Sequence, residues 1–432
     1  MKNKFNNQPK IYIFIKKGIT FSFLLPLILI SLNITAQEDT KSWTDYRGPQ
    51  ENGQSAAKNI PITWNDSTNI AWKVPIPGRG WSSPVILNNQ VWLTTAPEDG
   101  KVLRALAIEA TTGKILHKIN LFEVNEPQVH HPLNSFASPS PVIENGRVYF
   151  HFGAYGTACV DSRSGNILWK RTDLYCNHDV GPGSSPYLYK DLLILTMDGM
   201  DVQFLVALDK QTGNTVWKRT REVDLHDMKM ESRKAFTTPI TAKVNGVDQL
   251  ISVGPHSVMG YWPKTGERIW KALFEGFSAS SRPIINGNIL YFNSGFCVSS
   301  LVALDIGGEG DLTDKIMWIN KKSTQARSSA LLIDNLLYMV NTGGQAKCFE
   351  AETGVELWTA RVGTQTSASP IFVEGNIFTF DESGLTTIFK PGKSFLKVGE
   401  NQLPDGFMAS PAVVDNALYL RTKTHLYKIA EK

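Results

Sequence analysis

From Ser82 onward, short apolar runs alternate with Asn, Asp and Gly turns in one recurring order. Each unit opens on a Ser-Pro-type step, crosses a few apolar residues to a polar turn, and returns in an apolar, aromatic run. SSPVILNNQVWL, PSPVIENGRVYF and SSPYLYKDLLIL are three copies. The step falls at Pro84, Pro141, Pro186, Pro239, Pro283, Ala330, Pro370 and Pro411, eight copies spaced 40 to 57 residues apart. Short apolar runs bounded by such turns predict β-hairpins.

A second pattern, A-x-D-x-x-T-G-x-x-x-W, follows each hairpin and is clearest in ALDKQTGNTVWK, Ala207 to Lys218. It returns around Cys159, Asp161, Gly165 and Trp169, and around Cys348, Glu350, Gly354 and Trp358. Other copies are degraded. GYWPKTGERIW carries Trp262 where the acid should stand, AIEATTGKILH ends in His117, and ALDIGGEGDLTDKIMW has a longer turn before Trp318. IFKPGKSFL, near Phe389, is the weakest. The acid can accept backbone N–H groups across the turn, and the glycine allows a positive φ. The tryptophan offers a large apolar face to a neighbouring unit. Trp72, Trp169, Trp217, Trp270, Trp318 and Trp358 are therefore expected to be largely buried between units.

Hairpin plus turn gives four strands per unit, here A to D. A period of this length with several strands per unit signals a β-propeller. The eighth unit has no D strand of its own, and NIAWKVPI, Asn69 to Ile76, matches the D-strand pattern. The expected fold is all-β: an eight-bladed propeller of four-stranded antiparallel blades, its ring closed by an N-terminal strand. Closure removes the free edges of an open sheet.

The N-terminus stands apart. Lys2, Lys4, Lys10, Lys16 and Lys17 precede an apolar run, Gly18 to Leu32, and a small residue at Ala36. This is the pattern of a cleaved signal peptide, with cleavage after Ala36. The expected organisation is a signal peptide at 1–36, an N-terminal extension at 37–68 and the propeller at 69–432. A periplasmic or secreted protein with no integral membrane segment after cleavage follows from that reading. Without those five lysines, Lys+Arg falls from 44 to 39 against 40 Asp+Glu, and the formal charge moves from +4 to −1. No bias toward nucleic acid survives. Of the four cysteines, Cys159 and Cys348 sit where Ala207 stands in the motif and read as small buried side chains. There is no CxxC.

The tryptophan-ended motif resembles the repeat of pyrroloquinoline-quinone (PQQ) propellers. These include quinoprotein alcohol and sugar dehydrogenases and the outer-membrane assembly scaffold lipoprotein. The resemblance covers about residues 69–432, and WTDYRGPQENGQS from Trp43 is similar to the start of exported PQQ-like proteins. An enzyme of this kind would be a quinoprotein-type dehydrogenase with PQQ and calcium, acting on small polar substrates, as in carbohydrate breakdown. The resemblance equally implies a non-enzymatic scaffold for peptides or outer-membrane proteins. A propeller-type polysaccharide lyase is a third reading. The adjacent cysteines of the dehydrogenases are missing here.

Strand order places the D–A and B–C loops on one face, around the channel mouth, and the TG turns on the other. Non-repeating loops are where function concentrates. The candidate catalytic residues are Asp179, His178 and His131, for proton transfer. Trp81, Asn134, Arg282, Arg327 and Gln365 are the candidate cofactor-binding set. Trp81 could stack on a ring, and the arginines could clamp carboxylates. No metal ligands are assigned. The expected partner is a small-molecule or carbohydrate ligand at the channel mouth.

Overall fold

The computed structural model describes residues 40–431 except 66, 297, 298, 323, 325 and 326; the signal-peptide reading lies outside the described residues. These residues form eight sheets, six of four strands and two with an added fifth. Each sheet is one blade, read outward from a short A strand. Blade 3 is Tyr187–Tyr189, Leu192–Asp198, Gln203–Asp209 and Thr215–Thr220, all antiparallel. The expected closure is present. Ile70–Pro75 pairs antiparallel with His425–Ile429, from Ile70↔Ile429 to Pro75↔His425, and supplies strand D of blade 8.

The repeating motif is a joint between blades. The acid caps its own turn: the Ser164 amide donates to Asp161 at 2.7 Å and the Thr212 amide to Asp209 at 2.8 Å. The glycine then receives the preceding blade's tryptophan. Trp169 of blade 2 lies on Gly213, where φ is 75° and an added Cβ would come within 2.8 Å of the indole. The indole N–H donates to the Lys210 carbonyl at 3.1 Å. Trp72, Trp217, Trp318 and Trp358 make the same kind of bond to Ala110, Pro263, Ala351 and Gly392.

The expected burial of the tryptophans needs correcting. Trp217 and Trp270 are buried, but Trp72, Trp169, Trp318 and Trp358 are half-buried, because docking covers one face of each indole and leaves the other near solvent. Trp270 departs further. Blade 5 has no TG turn to receive it, so it turns into its own blade and donates to Gln249 Oε1 at 2.7 Å. The extended turn of blade 5 instead reaches back, and Gly310–Asp311 pairs parallel with Trp270–Lys271 on the outer edge of blade 4. Cys159, Cys176 and Cys348 are buried free thiols, and Cys297 lies outside the described residues.

The Ser-Pro step has a role that its pattern does not announce. Each hydroxyl accepts the backbone N–H of the equivalent residue one blade earlier. The links are Ser410→Ser83 (3.0 Å), Ser83→Ser140 (2.8 Å), Ser140→Ser185 (3.0 Å) and Ser185→Thr238 (3.0 Å). Arg282→Ser329, Ser329→Ser369 and Ser369→Ser410, each 2.9 Å, continue the belt. Arg282 has no hydroxyl to offer blade 4. Its Nη2 donates to the Pro239 carbonyl at 3.0 Å and closes that gap from the other side.

The extension is also ordered. It enters from the face of the A–B turns, where Asp415 N–H donates to the Thr40 carbonyl at 2.7 Å, and fills the channel between the A strands. Trp43 bridges Ile86 of blade 1, Arg47 donates to the Pro370 carbonyl of blade 7 at 2.7 Å, and Gln54–Ser55 adds a parallel strand inside blade 7. The chain then crosses blade 7, where the Trp64 amide donates to Asn401 at 2.8 Å, and reaches the rim at Ile70.

Candidate functional site

The plug turns the channel mouth into a cup. A cavity of about 1090 Å³ opens on the face of the D–A and B–C loops. Its lower wall is the hydroxyl belt, Tyr46 rises into it from the plug, and Trp81, Phe236, Phe277, Phe296 and Met408 supply its apolar walls. Such a concave apolar site with a few polar groups is the usual form of a small-molecule pocket.

Five of the eight expected site residues line it: Trp81, His131, Asn134, Arg327 and Gln365. The side chains of Trp81 and Asn134 are braced by the neighbouring D–A loop and that of His131 by its own. Trp81 Nε1 donates to the Leu133 carbonyl at 3.2 Å, and the Arg79 guanidinium sits 5.0 Å from the centre of the indole. His131 Nδ1 accepts the Leu133 amide at 3.1 Å, which leaves Nε2 as the donor of the neutral ring. Asn134 donates to the Val180 carbonyl at 2.8 Å.

Three expected residues are elsewhere. Arg282 is buried below the cup, with Nη1 2.5 Å from Asp45 Oδ1 and Nη2 3.1 Å from Glu51 Oε2. The extension brings those two carboxylates to it, and Tyr46 and Tyr187 flank the guanidinium. It is a brace between plug and ring. Asp179 takes φ 63° and turns its carboxylate onto Lys234 Nζ at 2.7 Å. It thus holds Lys234, itself a lining residue, in place of facing the cavity.

His178 is packed away from the cup. Its Nε2 accepts the Ala154 amide at 2.9 Å and its ring lies 3.6 Å from Cys176 Sγ. Burial pushes His178 down to about 4 and the nearby His151 down to about 3. Both values lie below the unfolded value of about 6.5. The neutral rings therefore stabilise the fold above pH 6.5, and that contribution is lost as pH falls toward 4 and then 3, because the unfolded chain binds protons the native one refuses. Denaturation midpoints should drop between pH 7 and 4, and His178→Gln should remove part of the drop. A profile unchanged by that substitution would count against the assignment.

Arg327 has spare capacity. Nη2 pairs with Glu382 Oε1 at 3.1 Å, while Nε and Nη1 are shut off from solvent with no hydrogen-bond partner. Buried polar groups are nearly always satisfied, so two orphaned N–H groups on a side chain that lines a cavity call for acceptors. Sequence reasoning missed Tyr46, Phe277 and Phe296 as lining residues. Tyr46 belongs to the irregular extension, and the two Phe positions carry no repeat signal.

A family model described as outer membrane protein assembly factor BamB matches residues 61–174 and 302–390. No curated protein matches. Among solved structures, the chain is similar to BamB from Moraxella catarrhalis at 13% identity and TM-score 0.59, covering 83% of this chain and 99% of that one. The quinohemoprotein alcohol dehydrogenase from Comamonas testosteroni aligns at 11% identity and TM-score 0.67, covering 91% and 81%. A europium-containing methanol dehydrogenase aligns at 12% identity and TM-score 0.65, covering 89% of each chain. At these identities the likeness shows the fold.

Proposed function

We propose, from the premise that the chain is a PQQ-like repeat β-propeller, that its plugged channel mouth binds a small, carboxylate-bearing polar molecule. The observation that supports this reading is Arg327, a lining side chain whose Nε and Nη1 have no hydrogen-bond partner, in a cavity also lined by Lys229 and Lys234. Nε–H and Nη1–H point to different sides of the guanidinium, so each takes its own acceptor oxygen, which a ligand carrying a carboxylate and further oxygens supplies. Trp81 and Phe277 then offer apolar walls to the rest of the ligand, and His131 offers a ring nitrogen for a hydrogen bond or a proton. We also propose export, on the strength of the lysine-rich and then apolar pattern before Ala36.

Pyrroloquinoline quinone carries carboxylates on a flat ring system, and a uronic acid carries one on a sugar; the cup could take either. A calcium-bound quinone does not fit the residues present. Among the described residues no group of three or more His, Cys, Asp or Glu side chains could hold a metal ion, and Glu231 is the sole carboxylate among the lining side chains. The cup is thus suited to recognising an acid through cations and aromatic walls, with no oxygen cage for calcium beside it. A second reading, a scaffold for a peptide or outer-membrane protein segment, is supported by the apolar rim, where Leu133 is 45% and Phe296 52% exposed.

The test is calorimetric titration of the protein with galacturonate and with pyrroloquinoline quinone, each with and without calcium. One acid should bind without calcium. Arg327→Gln should weaken it about 10- to 100-fold, the worth of a charged hydrogen-bond pair of about 1.5–3 kcal/mol. No binding of either acid, or equal affinity in the variant, would overturn the reading and leave the scaffold.

A further inference from the structure

A second cavity, of about 540 Å³, lies on the opposite face, between the A–B turns of blades 3 and 4 and the C–D turn of blade 4. Trp262 stands in it. In the sister turns this position holds an acid that caps the turn, Asp161 or Asp209 for example. Here no side chain at that position caps the turn; Gly266 N–H donates to the Trp262 carbonyl at 2.8 Å, and the Glu267 amide donates to Thr265 Oγ1 at 3.3 Å. The indole is 41% exposed. Among the described residues no ring or cation packs on it. A capping acid has been exchanged for an exposed tryptophan, a local cost with no packing return. Departures of that kind concentrate at functional positions.

The surroundings narrow the ligand. Lys243 and Lys264 stand beside Asp248 and Glu267, so the charges around the indole balance. Tyr189 donates to Asp248 at 2.9 Å, and Lys190 reaches the same carboxylate at 3.2 Å, which fixes one polar wall. An extended peptide could not add a strand at this blade, because Gly310–Asp311 already occupies its outer edge. A flat apolar surface ringed by hydrogen-bonding groups of both signs matches a sugar ring, whose C–H face is apolar and whose rim is hydroxylated. We propose that this groove binds a neutral saccharide, with Trp262 as the stacking platform. The site is separate from the channel mouth and does not depend on the reading given for it.

Native gels containing hydroxyethylcellulose, laminarin or galactomannan, with alginate as the anionic comparison, test this. Wild type should be retarded in at least one neutral gel. Trp262→Asp restores the capping acid of the sister turns. It should lose the retardation while its Tm stays within about 2 °C of wild type or rises. Trp262→Phe, which keeps a smaller platform, should be retarded less than wild type and more than Trp262→Asp. Arg327→Gln should run as wild type, which separates this site from the channel mouth. No retardation in any neutral gel, retardation by alginate alone, or undiminished retardation of Trp262→Asp would overturn the proposal.

Discussion

A chain beginning at Pro77 is expected to have no folded state at 25 °C. Its loss is larger than one strand. Without Ile70–Pro75, strand C of blade 8 loses its partner from His425 to Ile429, and Ile70, Trp72 and Val74 leave the core shared by blades 1, 7 and 8. The plug goes with it, exposing the inner faces of the A strands that Trp43 and Arg47 cover. A cost above about 5 kcal/mol exhausts the low end of a domain's total stability of about 5–15 kcal/mol. Circular dichroism and urea denaturation of the shortened chain would show this, and a peptide covering 40–76 added in trans should restore part of the signal. A shortened chain with the full-length midpoint would refute the closure argument.

Arg282→Ala should lower stability by about 3–5 kcal/mol, the cost of removing one partner from a buried ion pair. The charge is nearly sealed from solvent, with 1% of the side chain exposed, and it serves Asp45, Glu51 and the Pro239 carbonyl together. The alanine strips Asp45 and Glu51 of the guanidinium they share in the channel. The triple change Arg282→Met, Asp45→Asn, Glu51→Gln removes the charges together and should recover much of the loss. Chemical denaturation checks both proteins. A single variant within about 1 kcal/mol of wild type would mean that plug and ring are held by packing alone.

What was legible follows from how local each interaction is. The TG turn is read from one stretch because its acid, hydroxyl and glycine act on each other within a few residues, as Asp209 and Thr212 do. The Ser-Pro step was visible as a repeat, but its hydroxyl serves a residue in another blade, as Ser140 does for Ser83. No single unit states that purpose. The plug was opaque for the same reason. Residues 40–55 have no periodicity, and their order comes from six different blades. Arg282 is expected to clamp a carboxylate and does so, but the carboxylates are Asp45 and Glu51 of the extension, too distant in sequence for any local pattern to announce. His178 and Asp179 lie in the expected loop, yet loop membership does not decide which way a side chain turns.

The strand that closes the ring carries a consequence for synthesis. Ile70–Pro75 leaves the ribosome about 350 residues before its partner His425–Ile429 exists. Until then the first and last blades cannot meet, and every earlier blade belongs to an open arc. Pairings this remote along the chain form slowly, since the loop between them must close first. Commitment to the native ring is thus deferred until His425–Ile429 has emerged, and a nascent chain halted anywhere before residue 425 remains unlocked.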